Sequence, residues 1–296
     1  MFVLPQPFAR RREPAAFAVA VGVMVGVMAA ALAIDSAGVA AAQGRLDAEY
    51  VASLAGIPIG RGNWVVEVAD DQYSAVATGG TTGLLQFFTG AKGTTSSHGT
   101  LSAGQPVPTG YASTITYDRR VDDVRMVLAG GNVKDYSVEP PVKPHPNLLP
   151  VSDADRRGVV DPMTSALHRV VGNGDPVSPE ACNRRVSVFD GRLRYDLLSE
   201  FKRIETVKTD RGYEGPVVVC ALYFQPISGY VPDKPAIRYL SALRDAEVWM
   251  APISGTRVVV PYRFSVPTPI GLGVLQATQF VSVAHPPRST AAVKTQ

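Results

Sequence analysis

Within "VVDPMTSALHRVVGNG" (159–174) the chain gathers Asp161, Ser165, His168 and Arg169 in nine residues. A carboxylate, a hydroxyl and an imidazole are the ingredients of nucleophilic catalysis. That chemistry needs a base in reach of the hydroxyl and a third group to orient the base. Nothing else in the chain completes such a system, and there is no G-x-S-x-G elbow. The other histidines, His98, His145 and His285, are far apart and lack ligand spacing, so no metal centre is expected. Asp70-Asp71 and Asp122-Asp123 are adjacent pairs, which a strand would point to opposite faces, and they read as turn residues. "ATGGTTG" (77–83) is glycine-rich, but it lacks the spacing of a phosphate or dinucleotide loop, so no cofactor is expected either.

The element that carries the opening residues reads as a helix over 162–172. Asp161 is a good N-cap, and Pro162 takes the first helical position, where its missing N–H costs nothing. Met163, Ala166, Leu167, Val170 and Val171 fall on one apolar stripe, and "GNG" at 172–174 tolerates the left-handed geometry that ends a helix. A lone Ser or His on such a helix is structural far more often than catalytic. The expectation is a packing element that closes a curved sheet.

The N-terminus supplies an address. Arg10, Arg11 and Arg12 precede Ala15–Ile34, which is 20 residues without a charge, and Ala40-Ala41-Ala42 follows. A basic run, an apolar core and a small-residue site form the export pattern, with cleavage between Ala42 and Gln43. The competing reading is an uncleaved inner-membrane anchor facing the periplasm, in which residues 15–34 alone touch the membrane. In an anchor, Gly22 and Gly26 could form a dimer face. Beyond residue 42 the charge is 26 basic against 24 acidic side chains, a net +2, too balanced to argue for nucleic acid. Cys182 and Cys220 are the only cysteines. An even pair in an exported chain, without C-x-x-C or a histidine at ligand spacing, reads as a disulfide.

From Glu49 onward the pattern has period two, with turn residues every eight to twelve positions, as in a sandwich or barrel. Turns are expected at Gly56–Gly60, at Asp70-Asp71, at Gly130-Gly131, and at Asp190-Gly191 as a type I′ hairpin. "GPVVVCALYFQPI" is uniformly apolar and suggests burial on both faces. Pro261 inside a strand-like run points to an edge or a bulge. "EPPVKPHPNLLP" (139–150) holds five of the 24 prolines and reads as a semi-rigid crossover between two halves of one β domain, 46–284. The tail 285–296 has too little apolar content to fold and is expected to be mobile.

The order of "LAGIPIG", "DPMTSALHRV", "VFDGRLRYDL", "CALYFQPISGY" and "AEVWMAP…VPYRF…LQATQF" resembles the proteobacterial family known as domain of unknown function 3108, over about residues 48–283. The resemblance implies an exported envelope protein with a strongly bent, mostly antiparallel sheet and the Asp-Pro helix against its concave side. It brings no catalytic residues. The fold expected is therefore mainly β, an open barrel or spiral of hairpins with one amphipathic helix packed on it.

The function expected is binding rather than catalysis, of an apolar ligand or a partner segment from the envelope. Trp64, Phe87, Phe88, Tyr223, Phe224 and Trp249 are the candidate apolar surface, since lipid and peptide sites are commonly lined this way. For any one of them, filling the core is the plainer role. A structural scaffold of the envelope is the alternative, and an envelope hydrolase a more distant one.

Overall fold

The computed structural model describes residues 43–82, 90–118 and 120–285. The export segment, Phe87, Phe88 and the tail from 286 lie outside the described residues.

Two antiparallel meanders make one sheet of 15 strands. The first runs β1 (Gln43–Leu54), β2 (Ile57–Val68), β3 (Gln72–Thr81), β4 (Lys92–Ser102), β5 (Gln105–Tyr117), β6 (Arg120–Ala129) and β7 (Asn132–Glu139). The second runs β9 (Arg184–Phe189), β10 (Arg194–Lys208), β12 (Glu214–Ser228), β13 (Glu247–Pro252), β14 (Val258–Thr268) and β15 (Gly271–His285). Two-residue strands β8 (His168–Arg169) and β11 (Arg211–Gly212) add to β14 and β15. The meanders join through β1 and β15, from Gln43↔His285 to Leu54↔Gly273. The hydrogen-bonded path ends at β7 and β9, so the sheet does not close on itself.

Residues 157–160 bridge the two ends. Arg157 pairs with Asn132 on one side and Val160 with Val188 on the other. Val159 N–H donates to Gly131 O at 2.8 Å and Val160 N–H to Ser187 O at 2.9 Å. The segment thus satisfies backbone groups that an edge would leave bare. The proline-rich crossover is what delivers it from β7 to β9.

Turn chemistry explains most of the hairpins. Ala55-Gly56 and Gly130-Gly131 both have positive φ at each position, +50° and +82°, then +56° and +74°. That is the type I′ geometry that matches strand twist. The first of these corrects the reading of Gly56–Gly60 as the turn: Ile57, Pro58 and Ile59 belong to β2, with Leu54 opposite Ile57. Asp190-Gly191 is corrected too. Only Gly191 is left-handed, and the loop spans four residues because Phe189 pairs with Arg194. The Asp190 carboxylate accepts from the backbone N–H of Arg192 at 2.8 Å and of Leu193 at 2.6 Å, a side-chain turn that replaces the two-residue one. Pro261 sits at the expected bulge, where Trp249 opposes Arg263 and Met250 opposes Pro261.

The helix over 162–172 is the main correction. α1 is one turn, Pro162–Ser165, and the chain then turns at Ala166 and enters β8. A tertiary ladder outcompetes the helical pattern. Val170 N–H donates to Arg257 O at 2.9 Å, and the Arg257 guanidinium donates to the carbonyls of Val170, Val171 and Gly174. The apolar stripe splits accordingly: Leu167 and Val170 are buried in different clusters, while Val171 is 66% exposed. A second helix that the sequence reading did not anticipate, α2 (Pro235–Ala242), lies outside the core with no buried residue.

Three clusters form the core. The largest holds Leu46, Trp64, Val66, Tyr73, Leu167, Val217, Val219, Trp249, Val260 and Phe280. A second lies around the two cysteines with Val170, Val218, Met250 and Val259, and a third holds Tyr111, Met126, Leu128, Val159 and Phe189. In β12 alternate residues enter the first and second clusters, so the strand is covered on both faces, as its uniform apolarity implied.

Candidate functional site

The Asp-Pro turn packs against β4, β5 and β9. Asp161 caps α1 by accepting from Thr164 N–H at 2.9 Å, and it is 0% exposed. Its second carboxylate oxygen accepts from the hydroxyls of Thr164 and of Ser97 on β4, the latter at 2.9 Å. The Tyr73 hydroxyl on β3 is hydrogen-bonded to the Thr164 hydroxyl at 2.6 Å. Burial pushes the Asp161 carboxyl above the usual carboxylate range and the Tyr73 phenol up to about 12. Every polar atom here is spent on a neighbour, so the network ties the turn to two strands of the wall.

The other members of the opening set do not converge on it. The Ser165 hydroxyl donates to Pro162 O at 2.7 Å. Arg169 packs beside Gly104, and Gln105 donates to its carbonyl at 3.0 Å. His168 is part of β8, opposite Val259. Burial, and then the Arg184 guanidinium, lower its pKa from 6.5 to about 4. A folded pKa held below the unfolded one contributes stability that is present above about 6.5 and lost as pH falls toward 4. Denaturant unfolding at pH 7 and pH 4 should therefore show a loss of up to about 3 kcal/mol from this ring. Asp161 runs with the opposite sign, its contribution fading as pH rises through its raised folded value. The comparison of the native chain with His168→Gln isolates the histidine. A variant whose stability falls as steeply as the native chain's between those pH values would remove His168 as the cause.

The aromatic candidates separate. Trp64 and Trp249 are each 7% exposed and fill the first core cluster. The Trp249 indole N–H donates to Glu205 at 2.8 Å, while Trp64 Nε1 is buried without a hydrogen-bond partner among the described residues. Tyr223 lies at the surface, its hydroxyl donating to Glu200 at 3.2 Å with the Arg244 guanidinium over its ring at 5.9 Å. Phe224 stacks on Tyr195 at 5.3 Å. As neighbours in β12, Tyr223 and Phe224 belong to opposite faces of the sheet.

Cys182 and Cys220 are bonded, with Cα atoms 5.4 Å apart. The bond fastens the turn at Pro179–Ala181 to β12 within the second cluster. Among the described residues no group of three or more His, Cys, Asp or Glu side chains is placed to hold a metal. No helix among them is long and apolar enough to cross a membrane.

Two of the clefts among the described residues combine apolar or aromatic lining with charged side chains, and neither was expected as a site from the sequence. The larger, about 740 Å³, lies under the crossover. Pro140, Pro141, Val142, Leu148, Val231 and Ile237 supply its apolar lining, with Arg120, Lys143, Arg192 and Lys234 also in its wall. The wall is pinned: Arg192 donates to Pro140 O at 2.8 Å and Glu139 O at 3.2 Å. The backbone of Leu149 pairs with Gly229 and Tyr230 at 2.7 and 2.9 Å. The density of prolines in 139–150, which reads as a semi-rigid crossover, is the sequence signal available for this cleft. The smaller cleft, about 360 Å³, lies beside Trp249 and Arg263.

The model of a family described as a protein of unknown function, DUF3108, matches residues 49–278. No curated protein matches the chain. Among solved structures, a β-barrel-like protein of domain of unknown function DUF1849 from Brucella abortus is similar at 8% identity. The match covers 82% of this chain and 98% of that one, with a TM-score of 0.43.

Proposed function

The chain belongs to the DUF3108 family, and from that premise we propose that it is an exported cell-envelope protein that binds an apolar ligand without catalysing its conversion. The observation that carries the reading is the cleft under the crossover: apolar in lining, open to solvent, and held by backbone and arginine hydrogen bonds before any ligand arrives. A pocket formed in advance spares the ligand the cost of ordering it. Trp64 and Trp249 are both buried in the first core cluster. The disulfide supports the address, because such bonds persist in oxidising compartments.

The test is a titration with a fluorescent fatty acid, followed by competition with an envelope lipid extract. Val142 is exposed, so Val142→Asp should fold and should weaken probe binding by about tenfold or more, since it sets a charge on an apolar wall. Native protein that binds no probe, or a Val142→Asp variant that binds it undiminished, would overturn the assignment.

A further inference from the structure

The smaller cleft, beside the rim of the first core cluster, holds two charges that the fold leaves unpaired. Its lining comes from β10, β13, β14 and β15 and the turn after β10, and includes Trp249, Tyr262, Arg263, Gln276 and Asp210. Two guanidinium groups lie over Trp249. That of Arg203 is 5.6 Å from the ring centroid and is fully compensated, donating to both oxygens of Glu247 at 3.0 Å and to Glu205 at 2.5 Å. That of Arg263 lies closer, at 4.8 Å, and has no carboxylate within 4.0 Å among the described residues. Its side-chain hydrogen bond is a long one, Nη1 to the Gln276 side-chain oxygen at 3.5 Å, and its Nε is buried without a partner among the described residues. A guanidinium over an indole face is favoured by the ring's quadrupole, and its planar fork of donors suits a carboxylate.

Asp210 is the counterpart. It is exposed in the same cleft, and no basic side chain lies within 4.0 Å of it among the described residues. Lys208, the nearest lysine in sequence, is engaged with Glu214 at 2.7 Å. Tyr262, Arg263 and Asp210 line the same cleft, and the Tyr262 phenol, pushed up chiefly by burial, also feels both charges. They are nonetheless too far apart to pair with each other. A free anion would meet Asp210 and a free cation would meet Arg263. A molecule that carries both charges satisfies the two at once.

We propose that this cleft binds a small zwitterion of the amino-acid class, its carboxylate on Arg263 and its ammonium toward Asp210. The volume of about 360 Å³ suits a single amino acid or the end of a short peptide. The site is independent of the apolar cleft and of what that cleft holds.

Calorimetric titration of the full chain with glycine, alanine and phenylalanine tests it, with acetate and methylamine as half-ligands. The amino acids should bind saturably, and each half-ligand about tenfold or more weakly, since each forgoes one charge-assisted contact. Arg263→Gln should abolish binding. Because Arg263 packs on the core, the deciding variant is the exposed Asp210→Asn, which should weaken alanine by about tenfold while leaving acetate no weaker. Amino acids that give no saturable heat would overturn the site. Acetate binding as tightly as alanine, or Asp210→Asn leaving alanine unchanged, would overturn the zwitterion.

Discussion

Replacing Cys182 and Cys220 together by alanine should lower the unfolding free energy by about 4 kcal/mol on the chain-entropy account of a 38-residue separation. In a domain of this size that corresponds to a melting temperature lower by roughly 8–16 °C. The variant should still fold, because Val170, Val218, Met250 and Val259 keep the second cluster apolar without the sulfurs. Both cysteines are buried, so the loss should appear in the double variant at equilibrium rather than after brief exposure of the native protein to a thiol. Urea unfolding reads it directly, and a midpoint within experimental error of the native chain would show that the bond constrains nothing the core does not already hold. The effect should centre on residues 170–182, which have little regular structure and are held to β12 by this bond and to the start of β14 by Arg257.

Strands were legible where side chains alternate and turns carry glycine. β2 declares itself through Trp64, Val66 and Val68 at every second position, β12 through its unbroken apolar run, and Gly130-Gly131 announces its hairpin. β4 does not: "KGTTSSHGTLS" has one large apolar residue, and its inward positions include Ser97, buried against Asp161 rather than against hydrocarbon. A polar interior has no hydrophobic period to read. The helix over 162–172 was misread for the converse reason. Its spacing suits a helix, but Val170 and His168 find better partners in Arg257 and Val259, residues some 90 positions away that a local pattern cannot weigh.

The sites were legible in proportion to how local they are. The cysteine pair needed only counting and a compartment. Asp161 was readable as a cap, because the cap and its Thr164 are three residues apart, but its burial against β3 and β4 was not. The crossover cleft draws on β5, β6, the 140–148 segment and α2. The charge-unpaired cleft depends on which arginine of two loses the competition for Glu247 and Glu205. Both are facts of packing across the sheet.

Asp161→Ala should be among the most damaging single substitutions in the chain, with a cost of about 3 kcal/mol or more. The helix cap accounts for about 1 kcal/mol of that. The remainder is the penalty of leaving the Thr164 and Ser97 hydroxyls without their common acceptor, at a position with no solvent to replace it. Tyr73 would lose its register with Thr164, loosening β3 from the turn. Asp161→Asn separates geometry from charge. An amide oxygen can still accept from Thr164 N–H and one hydroxyl, and burial already works against the ionised form of this carboxyl. The asparagine variant should therefore retain most of the stability that alanine loses, and should lose the rise in stability that Asp161 contributes at acid pH. Thermal unfolding of the two variants decides between the accounts. If alanine costs no more than the roughly 1 kcal/mol of a surface cap, the buried network is incidental, and the turn is held by Leu167 alone.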